Sequence, residues 1–182
     1  MILTSDRFYR LIGEFYVEFE EICYLMEEWA CDVLKKHGLK NDKIQKVLLA
    51  GLTAEPLQRM LRALLMEHFR EERYEIVIAK VFSAFEKLTN MRNSIVHGKW
   101  NYPIDDENWR RTDNAVLSRR LKTSKKGEES EYLKCHVEDF QKCIDECKRL
   151  QKAVSFINYL CSYPEKLEEY FHKSDGNIIA DL

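Results

Sequence analysis

The segment Arg92-Asn93-Ser94-Ile95-Val96-His97-Gly98 carries the residues of this 182-residue chain best suited to chemistry. Arginine keeps its charge at any physiological pH, so a guanidinium at the edge of an apolar stripe must reach a partner or an anion. Counting by fours and threes from Tyr74 through Ile78, Val81, Phe85 and Leu88 arrives at Arg92 and places it at such an edge. The ordinary alternative is an arginine that snorkels to the surface or pairs with a core-edge carboxylate. Histidine titrates near neutral pH and is the natural side chain for proton transfer there. His97 can equally serve as a plain helix-end cap. Five residues of a regular helix turn through about 140°, so Arg92 and His97 do not converge on one ideal helix. Either the helix distorts beside Gly98, or a second copy of the chain completes the site.

The elements that position this segment read as helices. Phe8, Ile12, Phe15, Phe19, Ile22, Met26, Trp29 and Val33 follow strict 4-3 spacing and define one face of a first helix. Ser5 suits its N-cap and Gly38 its stop, giving a rod on the order of 45 Å. A second stretch from about 41 to 69 breaks at Gly51 and Pro56, and its later part carries Leu57, Met60, Leu61, Leu64, Leu65 and Phe69. A third helix runs from near Glu72 to His97-Gly98, with Val77, Val81, Ala84, Leu88, Met91 and Ile95 in one stripe and Tyr74, Ile78 and Phe85 beside it. Residues 99–113 read as a loop, and 114–137 as a two-stranded hairpin turning near Gly127. The last long helix starts near Val137 and carries Phe140, Cys143, Cys147, Leu150, Val154, Ile157 and Cys161. Pro164 interrupts it, and a polar tail over about 173–182 is expected to be flexible. The fold class is therefore all-α: a four- to five-helix antiparallel bundle with a small β-hairpin insertion, forming one domain over 1–182.

The stretch from Arg92 to His97 resembles the signature of the HEPN superfamily, an arginine, usually a polar residue, a few variable positions and a histidine. Four residues separate Arg92 from His97, within the family's range, and Gly98 suits it too. Some members carry a tyrosine two positions after the histidine; here that position is Lys99. The resemblance in fold covers roughly residues 5–163, without the hairpin and the tail. It implies a small helical domain acting as a metal-independent endoribonuclease, with a toxin–antitoxin or phage-defence role and a cleft built between two protomers. His97 would then serve as base for the ribose 2′-hydroxyl or acid for the leaving 5′-oxygen. Arg92 would hold the phosphate, and Asn93 would hold the histidine or a phosphate oxygen. One histidine per chain leaves one role vacant, which a second chain supplies. The implied partners are an RNA substrate, a second copy and an antitoxin or regulatory protein, with no cofactor. The rival readings are a catalytically silent module that binds RNA or nucleotide, and a dimeric helical adaptor.

A second feature is electrostatic. Between residues 110 and 126 stand Arg110, Arg111, Arg119, Arg120, Lys122, Lys125 and Lys126 against Asp113 alone, an excess of about +6 in a chain of net charge −2. Together with Lys99, Trp100, Tyr102 and Trp109 they are candidates for gripping an RNA backbone and stacking on unpaired bases. The opposing reading is a solvated hairpin whose cations block edge-to-edge pairing. The first helix holds eight Asp and Glu between Asp6 and Asp32, so the small net charge averages two opposed regions and argues against indiscriminate coating of nucleic acid. Cys135, His136, Cys143 and Cys147 lack the Cys-x2-Cys knuckle of a zinc site, and no metal centre is expected. No Gly-rich phosphate loop occurs, and His68 and His172 read as helix-end or surface residues. Six cysteines without a signal-like leader, and no apolar run of about 20 residues, point to reduced thiols, a cytoplasmic setting and no membrane partner.

Overall fold

The computed structural model of the chain describes residues 5–69, 72–101, 115–124, 127–163 and 166. Among them the helices are α1 (Ser5–Lys36), α2 (Asp42–Leu49), α3 (Ala54–His68), α4 (Glu72–His97) and α5 (Val137–Ser162), and the strands are β1 (Lys99–Asn101), β2 (Ala115–Ser124) and β3 (Gly127–His136). The class is an all-α bundle with a small β insertion between α4 and α5, as the periodicity predicts. One expectation needs correction: the segment read as a loop from 99 opens with β1, which pairs antiparallel with β2 from Lys99↔Arg119 to Asn101↔Leu117. The hairpin expected over 114–137 is present as β2 and β3, paired antiparallel from Ala115↔His136 to Ser124↔Gly127. The sheet order is β1-β2-β3. The chain divides into two compact units.

One unit contains the described residues of 1–19 and 90–147. Its buried side chains are Phe8, Leu11, Phe15 and Phe19 from α1, Ile95 from α4, Cys135 from β3, and Val137, Phe140, Ile144 and Cys147 from α5. Phe8 and Phe140 meet edge to face, with centroids 5.4 Å apart and planes at 88°. That geometry sets the positive rim of one ring against the negative face of the other. The step from β3 into α5 is capped: the His136 N–H donates to Asp139 Oδ2 at 2.9 Å, so a carboxylate in the first turn reaches back to the entering backbone.

The other unit contains the described residues of 20–89 and 148–182. Ile22, Met26, Trp29 and Val33 continue the α1 seam, and all four are buried. α1 ends in a Schellman motif, in which the Leu39 N–H donates to the Leu34 carbonyl and the Gly38 N–H to that of Lys35, with Gly38 at φ +95°. Asn41 then caps α2, its Oδ1 accepting from the N–H groups of Lys43 (3.0 Å) and Ile44 (3.3 Å). Gly51, at φ +78°, breaks the chain between α2 and α3, and Pro56 falls in the first turn of α3, where its missing N–H costs nothing. Leu57, Leu61 and Leu65 of α3 are buried, as are Val77, Ile78, Val81, Phe82, Phe85 and Leu88 of α4. Asn158 donates to Asp32 Oδ2 at 3.0 Å, and Lys36 donates to the Cys161 carbonyl. Both pairs advance in the same sense, so in this unit α1 and α5 run parallel. Among the described residues, no helix is long and apolar enough to cross a membrane.

Candidate functional site

α4 carries the motif at its C-terminal end and remains α-helical through His97. The helix therefore does not distort to bring the motif's two ends together. Arg92 and His97 stand about 140° apart around the axis and about 7.5 Å apart along it. Arg92 is partly buried and His97 is exposed.

Three side chains of one unit do converge. The Arg92 guanidinium carbon lies 5.6 Å from the centroid of the Tyr16 ring in α1, a cation–π arrangement. Its Nη1 donates to Asn93 Oδ1 at 3.3 Å. Tyr16 is itself 42% exposed, so the cation rests on an aromatic face that reaches solvent. A guanidinium is a planar fork of donors, a group suited in general to receiving two oxygens of a phosphate or carboxylate. Next to it, Ser94 Oγ bonds back to the Asn90 carbonyl at 2.9 Å, and Thr89 Oγ1 to that of Phe85 at 2.9 Å. Both hydroxyls thus serve their own helix. Tyr16 was missing from the sequence-predicted set because it lies outside the α1 seam and far from the motif in sequence.

The basic candidates divide by strand. Lys99 and Trp100 lie in β1, opposite Arg119 and Ser118 of β2. Arg120 and Lys122 of β2 stand directly opposite Glu131 and Glu129 of β3. Counting charge along the chain between 110 and 126 misses these glutamates, because their positions become neighbours only through the register. Tyr102, Trp109, Arg110, Arg111, Lys125 and Lys126 lie outside the described residues.

A histidine pair occupies a separate position. His37, just past α1, has its Nε2 3.1 Å from Nδ1 of His68, the last residue of α3. Their rings meet edge to face at 5.2 Å, and His68 meets Phe69 in the same way at 4.5 Å. Burial, then the nearby charges of Lys36 and His37, hold the His68 pKa below its ordinary value. Among the described residues no group of three or more His, Cys, Asp or Glu is placed to hold a metal ion. Compared with family models, with curated proteins and with solved structures, the chain finds no match in any of the three.

Proposed function

We propose that the chain is a metal-independent endoribonuclease of HEPN type whose active site is shared between two copies. Arg92 binds the scissile phosphate and stabilises the charge that grows on its oxygens. A histidine removes the proton of the ribose 2′-hydroxyl, and that oxygen attacks the adjacent phosphorus. The bond from phosphorus to the 5′-oxygen breaks, and the departing oxygen takes a proton from the second histidine. The products are a 2′,3′-cyclic phosphate and a 5′-hydroxyl, so no water, metal or redox partner enters the balance. Asn93 steadies the arginine through the hydrogen bond it accepts. The proposal extends to a toxin or defence role, in which an antitoxin or regulatory protein covers the cleft.

The observation that carries the two-copy reading is the separation of Arg92 from exposed His97 on one unbroken helix. Supporting the anion-binding role is the guanidinium 5.6 Å from the centroid of the solvent-reaching Tyr16 ring. The same engagement of Arg92 with Tyr16 and Asn93 favours a second reading, a catalytically silent module that binds RNA. Incubating wild type and His97→Ala with a mixed RNA pool in EDTA separates the two. The expected result is cleavage by wild type alone, leaving cyclic phosphate ends. Equal cleavage by both proteins would remove His97 from the mechanism, loss of activity in EDTA would remove its metal independence, and binding without cleavage would establish the silent module.

A further inference from the structure

α2 buries a polar side chain and exposes three aliphatic ones, the reverse of what a surface helix ordinarily does. Its inward positions are Gln45 and Leu49, at 1% and 3% exposure and four residues apart on one face. Gln45 Nε2 donates to the Leu39 carbonyl, so the buried amide has its partner. Ile44, Val47 and Leu48 are left outside, at 48%, 74% and 54% exposure. Their spacing joins them into one patch, an arc of about 100° around the helix. Exposed Lys43 borders this arc, with exposed Lys46 next beyond it. The helix is held in this orientation at its start, where Asn41 caps it and Asp42 lies 3.6 Å from Lys35 of α1. A single exposed aliphatic residue is ordinary, whereas a contiguous patch marks a surface that something covers.

A surface of the opposite charge belongs to the same unit. On α1, Tyr24 is 54% exposed, with exposed Glu21 three residues before it and exposed Glu28 four residues after it. Those intervals keep the three on one side of the helix. Negative charge is crowded here: burial, then the charges of Glu28 and Glu20, raise the Glu27 carboxyl pKa. A cation brought to this surface relieves that repulsion. The chain thus carries an aliphatic patch edged with lysines and an aromatic position edged with glutamates.

We infer that the Ile44, Val47 and Leu48 face of α2 docks on the Tyr24 face of α1 in a second copy of the chain. The Tyr24 ring covers the aliphatic patch, and Lys43 and Lys46 meet Glu21 and Glu28 around it, an apolar centre with a charged rim. Every copy carries both surfaces, so the contact is made twice about a two-fold axis or repeated head to tail. A membrane of anionic lipid would attract the lysines too, but it would leave the acidic side of α1 uncovered, whereas a second copy accounts for both surfaces. The contact uses none of the residues assigned to cleavage and stands apart from the nuclease reading. A patch this small gives a weak association that depends on concentration and salt.

Charge reversal separates this contact from any other between copies. One full-length variant carries Lys43→Glu with Lys46→Glu, and a second carries Glu21→Lys with Glu28→Lys. Each variant meets its own kind with like charges face to face, whereas the two together place opposite charges at every contact. The first variant, affinity-tagged, is offered either its own untagged form or the untagged second variant. At about 50 mM salt it is expected to capture roughly tenfold more of the second variant than of its own kind, a preference lost near about 1 M salt, where the screening length is about 3 Å. Capture in the mixed pair also shows that both variants are folded. Wild type should capture wild type as the mixed pair does, and Val47→Ser with Leu48→Ser should reduce that capture to the level of the like-charged pair. Equal capture of both kinds by the tagged variant would overturn the inference, as would wild type that binds vesicles of anionic phospholipid and captures no second copy. RNA cleavage by wild type is scored separately. Selective capture without cleavage would remove the nuclease and leave the contact, whereas cleavage without selective capture would remove the contact and leave the nuclease.

Discussion

Lysine at position 92 would keep the charge of arginine and lose its plane. The Arg92 guanidinium, 5.6 Å from the Tyr16 ring centroid, is a planar group, whereas an ammonium is a point charge on a flexible stem. Arg92→Lys is therefore expected to lower cleavage at least tenfold while the melting temperature stays within about 2 °C, checked by single-turnover kinetics beside calorimetry. The His37–His68 pair carries a pH dependence of definite sign. The hydrogen bond between Nε2 of His37 and Nδ1 of His68 needs one of the two rings to keep a lone pair, so it cannot form once both are charged. Burial, then Lys36 and His37, depress the His68 pKa in the folded chain. The stabilisation is complete above the unfolded value near 6.5 and is lost as pH falls below it through the depressed folded value. The midpoint of urea unfolding should drop between pH 7.5 and 5, and His68→Gln should flatten that drop. Glu27 behaves oppositely: burial, then Glu28 and Glu20, raise its carboxyl pKa, so its charge opposes folding at neutral pH. Glu27→Gln is expected to raise the melting temperature at pH 7 and to do nothing at pH 3.5. The Arg92–His97 spacing was legible in the chain because both residues belong to one helix. The role of Tyr16 was not, since only tertiary folding brings it beneath the guanidinium.

Helices announced themselves by period and punctuation. The 4-3 run from Phe8 to Val33 marks the buried face of α1, with seven of its eight residues buried and Ile12 half-buried. The run also missed Leu11, as the later stripes missed Phe82, Ile144 and Leu160, because a helix enclosed by several neighbours buries more than one row. Gly51 and Pro56 were readable as a break because each violates helix geometry by itself. Gly51→Ala isolates that effect: a Cβ there meets nothing within 4 Å, so only the positive φ resists it. The expected cost is about 1–2 kcal/mol in urea unfolding. β1 stayed hidden because Lys-Trp-Asn is three residues long and becomes a strand only by pairing with β2, across an intervening segment. The pairing of positions 129 and 131 with 122 and 120 was hidden for the same reason, since only the strand register sets them opposite one another.

At the scale of the whole molecule, a site that needs one histidine from each copy lets an inactive chain silence an active one. Wild-type and His97→Ala chains co-expressed in equal amounts would pair at random, and about a quarter of the dimers would hold both histidines. Cleavage should therefore fall to about a quarter of that of wild-type dimers alone. His97→Ala alone should not cleave, and cleavage in the mixture that fell only to about a half would rule out a site built from both histidines. The six cysteines are all free thiols in this structure. Burial, ahead of neighbouring charges, pushes Cys135 and Cys161 up to about 12 and raises Cys31 and Cys143 as well. Only a thiolate reacts with an alkylating agent, so these sulfurs are silent while the chain stays folded. Cys135 reports on the strand that leads into α5, and Cys161 on the end of that helix. Their rates of alkylation under native conditions therefore act as clocks, one in each unit, that tick only when the surrounding structure opens.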